Sequence, residues 1–216
     1  MDHEPTFQVD GMAHPVSVNA SHQEITAAFH KDLNADALST DEHVNAVGWM
    51  RTYTGKRVTP LDLKPEMVDI TDIAHALSRI GRFGGHAAGF ISVASHSMAV
   101  TRLVAEQTDD PRMQLTALLH DASEAYIGDI IRPIKKHPML ADILHDAEER
   151  VHAVVAQVFG THYPHPDLVV QADDARLAWE MENIRDLDTH VTDINEDRID
   201  FILHFGALRR LINQGL

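Results

Sequence analysis

The chain contains no cysteine. That excludes a disulfide-stapled scaffold, thiolate metal sites and a cysteine nucleophile, and it is compatible with a reducing compartment. The start, MDHEPTFQVDG, lacks a basic stretch followed by an apolar run, and no apolar run approaches the length of a membrane span. The expectation is a soluble, cytoplasmic protein with no membrane partner. Positive charge is also scarce: 18 Lys and Arg stand against 33 Asp and Glu, a formal net charge of -15. Such a surface repels polyanions, and nucleic-acid affinity rests on a basic patch, so no nucleic-acid partner is expected. A small phosphate ester is not excluded, because it needs only a local cluster of cations at one pocket.

What the chain does have is helical periodicity. With 216 residues, 44% of them hydrophobic, it can bury a substantial core. Residues 1–45 are polar and read as an N-terminal appendage, with Ser21 and Glu24 spaced as a capping box before the face Ile25, Ala28, Phe29 and Leu33. Residues 46–216 read as one domain. The string WMRTYTGKRV over residues 49–58 alternates around Thr54-Gly55 and predicts a short hairpin. Apolar residues three and four apart predict helices over 70–80, 93–106, 138–159, 166–187 and 205–212. Between the first two lies RFGGHAAGF, residues 82–90, whose three glycines make it a loop able to line a pocket. The fold class is all-α, a helical bundle with one short β-hairpin.

The stretch from Leu115 to Lys135 is the centre of this pattern. Leu115, Leu118, Leu119 and Ala122 mark a core helix, yet it carries His120, Asp121 and Glu124. Burying such groups without partners costs several kcal/mol, roughly, so hydrogen bonds or a cation must compensate them, and a metal ion is the leading candidate. An HD dipeptide alone says little in a chain with 16 histidines. A second one, His145-Asp146-Ala147-Glu148-Glu149, has the same form, but its neighbours Glu148, Glu149 and Arg150 mark a solvated face, the alternative being a weak cluster of His145, Glu149 and His152. His96 lies near the buried row of its helix, and Asp173, beside Asp174, lies seven residues before Glu180 on one face. Alone, each has an ordinary structural reading. Together His96, His120, Asp121 and Asp173 supply two imidazoles and two carboxylates from three helices, a set suited to one divalent transition ion (Mn, Co, Zn, Fe or Ni) with open positions.

The order H…HD…D, with SVASHS, HDASEAYIGDIIRPIK and QADDARLAWE, resembles the HD-domain phosphohydrolases, in particular the small branch of bacterial 5'-deoxynucleotidases and phage-type deoxynucleoside triphosphate hydrolases. The resemblance covers residues 49–187. It implies an HD-domain bundle in which His96, His120, Asp121 and Asp173 hold the metal and Glu124 transfers a proton. Asp129 would then be a second acid beside the scissile phosphate, and Arg82 and Lys135 the phosphate-binding cations. Phe83 stands where deoxynucleotidases usually place a tryptophan against the sugar. The activity implied is release of phosphate from deoxynucleoside 5'-monophosphates. Tripolyphosphate release from a deoxynucleoside triphosphate is the near rival, and a non-catalytic metal or nucleotide sensor the rival of another class. The resemblance also implies a homo-oligomer.

Overall fold

The computed structural model describes residues 48–185 and 193–215, together with strands β1 (Thr6–Phe7) and β2 (Val16–Ser17). The chain divides into two compact units, Met1–Gly48 and Trp49–Leu216. In the first, β1 and β2 pair antiparallel with Thr6 opposite Ser17, a pair too short to be legible as alternation in the sequence. The capping box at Ser21 and Glu24, and the helical face after it, lie outside the described residues.

The second unit opens with the hairpin of β3 (Met50–Arg51) and β4 (Arg57–Val58), closed at Gly55, whose φ of 89° suits glycine. Asp72 anchors this hairpin: its carboxylate accepts the Thr54 N–H at 2.7 Å and the Thr54 hydroxyl at 2.8 Å. Eight helices follow in the chain as described: α1 (Ile70–Leu77), α2 (Val93–Ala105), α3 (Pro111–Leu118), α4 (Glu124–Ile127), α5 (Arg132–Lys135), α6 (Ala141–Phe159), α7 (Asp167–Glu182) and α8 (Ile194–Gln214). The architecture is all-α with a short hairpin, as the periodicity implies.

Caps set the register of the helices that carry the site. Asp69 accepts from Thr71 N–H at the start of α1, and Asp110 accepts from Arg112 N–H ahead of Pro111, so the first turns are closed by side chains. Ser92 caps α2 by accepting from Ser95 N–H at 2.9 Å, and its own hydroxyl donates to Asp197 of α8. The entry to α2 is therefore tied to a helix far away in sequence. One core joins Ile73 and Leu77 of α1, Val93 of α2, Leu115 and Leu118 of α3, Val151 of α6 and Phe201 of α8. A second cluster, Val100, Val104, Ala117, Val169 and Ala172, packs α2 and α3 against α7. It is this second contact that brings the polar faces of three helices together. No helix among the described residues is long and apolar enough to cross a membrane.

Several boundaries differ from the sequence reading. The helix α8 begins at Ile194, eleven residues before the predicted start at Phe205, because its first turns are polar and are nucleated by Asp193, which accepts from Asn195 and Glu196 N–H. The apolar stripe of α6 is buried only in its later turns: Val151 is inaccessible, whereas Ile143 is 68% exposed. On α7, Val170 and Trp179 are exposed as well. Periodicity marks a face but not whether a neighbour reaches it.

Candidate metal centre

The central stretch is not one helix. The helix α3 ends at Leu118, and residues 119–123 form successive tight turns before the single turn of α4. The hydrogen bonds there run from Ala122 N–H to Leu119 O and from Glu124 N–H to Asp121 O, a spacing of three rather than four. The cause is local: the His120 Nδ1 hydrogen donates to Ala117 O at 2.8 Å, occupying the carbonyl that the next helical turn would have used. The motif is thus presented from a break in the helix.

His96, one turn into α2, is fully buried. Its Nδ1 hydrogen donates to Glu180 Oε1 at 3.0 Å, since a carboxylate can only accept. The other ring nitrogen, Nε2, then faces the carboxylates, 3.0 Å from Asp173 Oδ1 and 3.7 Å from Asp121 Oδ2, where its lone pair would be available to a cation. His120 repeats the arrangement. With Nδ1 engaged by a carbonyl, its Nε2 lies 3.2 Å from Asp121 Oδ2 and 3.6 Å from Asp173 Oδ1, buried and without a hydrogen bond. Two imidazole lone pairs thus face two carboxylates, acceptor against acceptor, which repel unless a proton or cation lies between them. Ligand atoms of His96, His120 and Asp173 all lie within 4.8 Å of one another, with Asp121 beside both rings. This donor set fits a divalent transition ion.

The metal-free electrostatics report the same conflict. Burial opposes charge on His120, but Asp121 and Asp173 outweigh it and hold the imidazole well above its ordinary pKa. Burial likewise opposes charge on Asp121 and Asp173, yet the histidines hold both well below the usual carboxylate range.

Around this cluster stand the other expected residues. Glu124 is 4% exposed, and burial, with Asp121 and Asp129 nearby, pushes its carboxyl up to about 9 against the pull of Lys135 and Arg82. Its Oε2 makes no hydrogen bond. Asp129 follows Gly128, whose φ of 81° lets the chain turn back toward the site, and burial and Asp121 raise its carboxyl too. Lys135 on α5 lies 3.6 Å from Glu124 Oε1 and 2.8 Å from Glu148 Oε1. Arg82 is buried, its Nε donating to Glu180 Oε2 at 2.9 Å and its Nη1 lying 3.6 Å from Asp121 Oδ2. Its guanidinium sits 5.4 Å from the centre of the Phe83 ring. Phe83 has φ 59° and ψ 25°, a left-handed conformation that costs a bulky residue about 1–3 kcal/mol. The loop is closed at its base, by Arg82 N–H donating to Ile91 O at 2.9 Å, and tied to the end of α7 by Ala88 N–H donating to Ile184 O at 3.0 Å.

A Glu124 carboxyl that stays protonated when folded has a consequence for pH. The folded value lies above the unfolded 4.5, so its contribution to stability is complete below about pH 4.5 and lost as pH rises toward about 9. The metal-free Glu124→Gln variant should therefore melt higher than metal-free wild type at pH 8–9, with the gap closing toward about pH 5. Melting curves across that range with chelator present check this, and parallel curves would contradict it.

Three partners were not assigned from the sequence. Glu180, on the same face of α7 as Asp173, accepts from His96, Arg82 and, at 2.8 Å, the Nε of Arg176. Glu148 belongs to the second HD motif but turns inward to Lys135. Ser123 Oγ lies 3.0 Å from His152 Nε2, holding the turn against α6; burial and the neighbouring His165 push that imidazole down to about 3, so it stays neutral. Only Glu180 left a signal, its seven-residue spacing from Asp173. The rest of the second motif is solvated: the His145 side chain is 73% exposed and pairs with Glu149 at 3.5 Å, and Asp146 pairs with Arg150 at 2.7 Å. His145, Glu149 and His152 form no metal cluster. His145→Ala and Asp146→Ala should change melting temperature and metal affinity little, within about 0.5 kcal/mol each, when measured by calorimetry. A tenfold loss of metal affinity in either would place the metal on the wrong motif.

The helical fold and the buried His/Asp cluster define a candidate metal-binding site of a helical protein. The chain belongs to the HD-domain family. Residues 93–195 match the HD domain, which takes in His96, His120, Asp121 and Asp173 but not Arg82 or Phe83. Among its relatives is the uncharacterized protein YfdR of Escherichia coli (strain K12), 33% identical over 136 residues that span 60% of this chain and 72% of the relative. An uncharacterized protein of Rhodobacter capsulatus is 42% identical over 91 residues, 40% of this chain and 46% of that protein. HD-domain proteins are generally metal-dependent phosphohydrolases.

Proposed function

We propose that this protein is a metal-dependent nucleotide phosphohydrolase, and specifically a 5'-deoxynucleotidase that releases orthophosphate from deoxynucleoside 5'-monophosphates. The observation that carries the reading is a cluster of imidazole and carboxylate groups facing one another, with the buried carboxyl of Glu124 and the two cations Arg82 and Lys135 beside it.

His96, His120, Asp121 and Asp173 would hold the ion. When bound, a divalent ion supplies Lewis-acid polarisation of a phosphoryl oxygen and acidification of water. Everything else is done by side chains. Arg82 and Lys135 offset charge on the phosphate as it redistributes in the transition state, and Lys135 exchanges its contacts with Glu124 and Glu148 for phosphate oxygens. Glu124, whose Oε2 is free of hydrogen bonds, orients the attacking water and exchanges a proton with it. Asp129, with its raised carboxyl pKa, assists the leaving oxygen. Phe83, beside Arg82, offers a ring face to the sugar. The proposal extends to a homo-oligomer formed through exposed helix faces.

Turnover measured with a panel of ribo- and deoxyribonucleoside mono- and triphosphates tests the reading. Orthophosphate from deoxynucleoside monophosphates is the expected product. Tripolyphosphate from triphosphates moves the assignment to a triphosphohydrolase using the same residues, and tight nucleotide binding without turnover favours a sensor.

A further inference from the structure

Glu180 accepts hydrogen bonds from both the metal-ligand candidate His96 and the phosphate-binding candidate Arg82. It lies two turns beyond Asp173 on α7 and is completely inaccessible to solvent. Its oxygens are divided between them. Oε1 accepts from His96 Nδ1 at 3.0 Å and from Arg176 Nε at 2.8 Å, while Oε2 accepts from Arg82 Nε at 2.9 Å. The first contact keeps the His96 proton on Nδ1 and leaves Nε2 free toward Asp121 and Asp173. The second pins Arg82 by Nε and leaves Nη1 on the Asp121 side. We propose that Glu180 is a single positioning residue for two binding events, fixing the metal-ligand tautomer of His96 and the anion-facing pose of Arg82 at once. The Arg82 half rests on the phosphohydrolase reading.

Only a carboxylate of this length serves both. A glutamine offers one acceptor oxygen, so its amide hydrogens would face either the Nδ1 hydrogen of His96 or the Nε hydrogen of Arg82. Facing His96, they would drive the ring proton to Nε2, the nitrogen the metal needs. Facing Arg82, they would release the guanidinium from its pose. Aspartate keeps the charge but is one methylene short, so it cannot reach both partners from the same backbone position.

The test uses Mn(II) and inorganic phosphate as probes on the full chain, comparing wild type with Glu180→Ala, which removes both acceptors, and with Glu180→Gln and Glu180→Asp. Metal affinity should fall about tenfold to a hundredfold in the alanine variant. Phosphate affinity is then measured with Mn(II) saturating in every protein, which restores the metal and leaves the second defect exposed. It should remain reduced by about tenfold or more in the alanine variant, the effect of a misplaced charge-assisted donor. In Glu180→Gln and Glu180→Asp, which fill more of the site should alanine prevent folding, at least one of the two affinities should fall. Phosphate affinity that matches wild type at saturating Mn(II) in every folded variant would confine Glu180 to His96 and overturn the double role. Metal affinity unchanged in every folded variant would overturn the His96 half. Wild-type protein that binds Mn(II) but no phosphate would instead count against the phosphohydrolase reading and take the Arg82 half with it.

Discussion

Glu124→Gln should lower kcat by about a hundredfold to ten-thousandfold, the range associated with one general acid–base group, while Mn(II) affinity changes by less than about tenfold. The geometry separates these effects. Glu124 is not among the three residues whose ligand atoms converge, but its carboxyl is buried between Asp121, Asp129, Lys135 and Arg82. An amide fills the same volume and removes the group that accepts and returns a proton. The amide is neutral, like the carboxyl of raised pKa that it replaces, so the charge around the metal ligands should not be disturbed. Steady-state kinetics with metal titration by calorimetry read both quantities. Turnover within tenfold of wild type would remove Glu124 from the chemistry, and loss of both turnover and metal binding would make it a ligand.

His120→Ala should abolish measurable metal binding, and with it turnover and the metal's contribution to stability. The ring supplies Nε2 to the cluster through a tautomer that Ala117 O holds, and alanine removes both the ligand and the reason α3 stops where it does. In wild type, metal at a thousandfold over its Kd should stabilise the fold by about 4 kcal/mol, raising Tm by about 10 °C for a chain of this length. The variant should show no such rise. Differential scanning calorimetry with and without metal is the check, and a full rise in the variant would place the ion elsewhere.

Much of the fold was legible because the helices are amphipathic, and side-chain oxygens cap them where the apolar rows begin. Asp69, Ser92 and Asp110 each stand directly before a helix whose apolar row the sequence displays. What was not legible is the break after Leu118, where apolar periodicity runs on through Leu119 and Ala122 while a buried histidine takes over a backbone carbonyl. That competition is three-dimensional. The candidate site was legible in its chemistry for a related reason: charged groups in an apolar setting need partners, and no charged residue stands between Arg112 and Asp121. Glu180, Arg176 and Glu148 escaped assignment because a charged residue on an amphipathic helix reads as solvated. Their burial comes from α7 and α6 packing against other elements, which no local pattern records. Phe83 was named from the resemblance, but its backbone was not legible, since nothing in RFGG says that the aromatic residue, and not only its glycines, takes the left-handed conformation.

The most direct test of the central claim is hydrolysis by metal-stripped protein after adding back Mn, Co, Zn, Fe, Ni or Mg singly, with wild type and His96→Ala side by side. The account predicts that stripped wild type is inactive, that at least one transition ion restores phosphate release from a nucleotide, and that no ion restores it in the variant. Full activity in the stripped wild type, or rescue of the variant to wild-type rates, would contradict it.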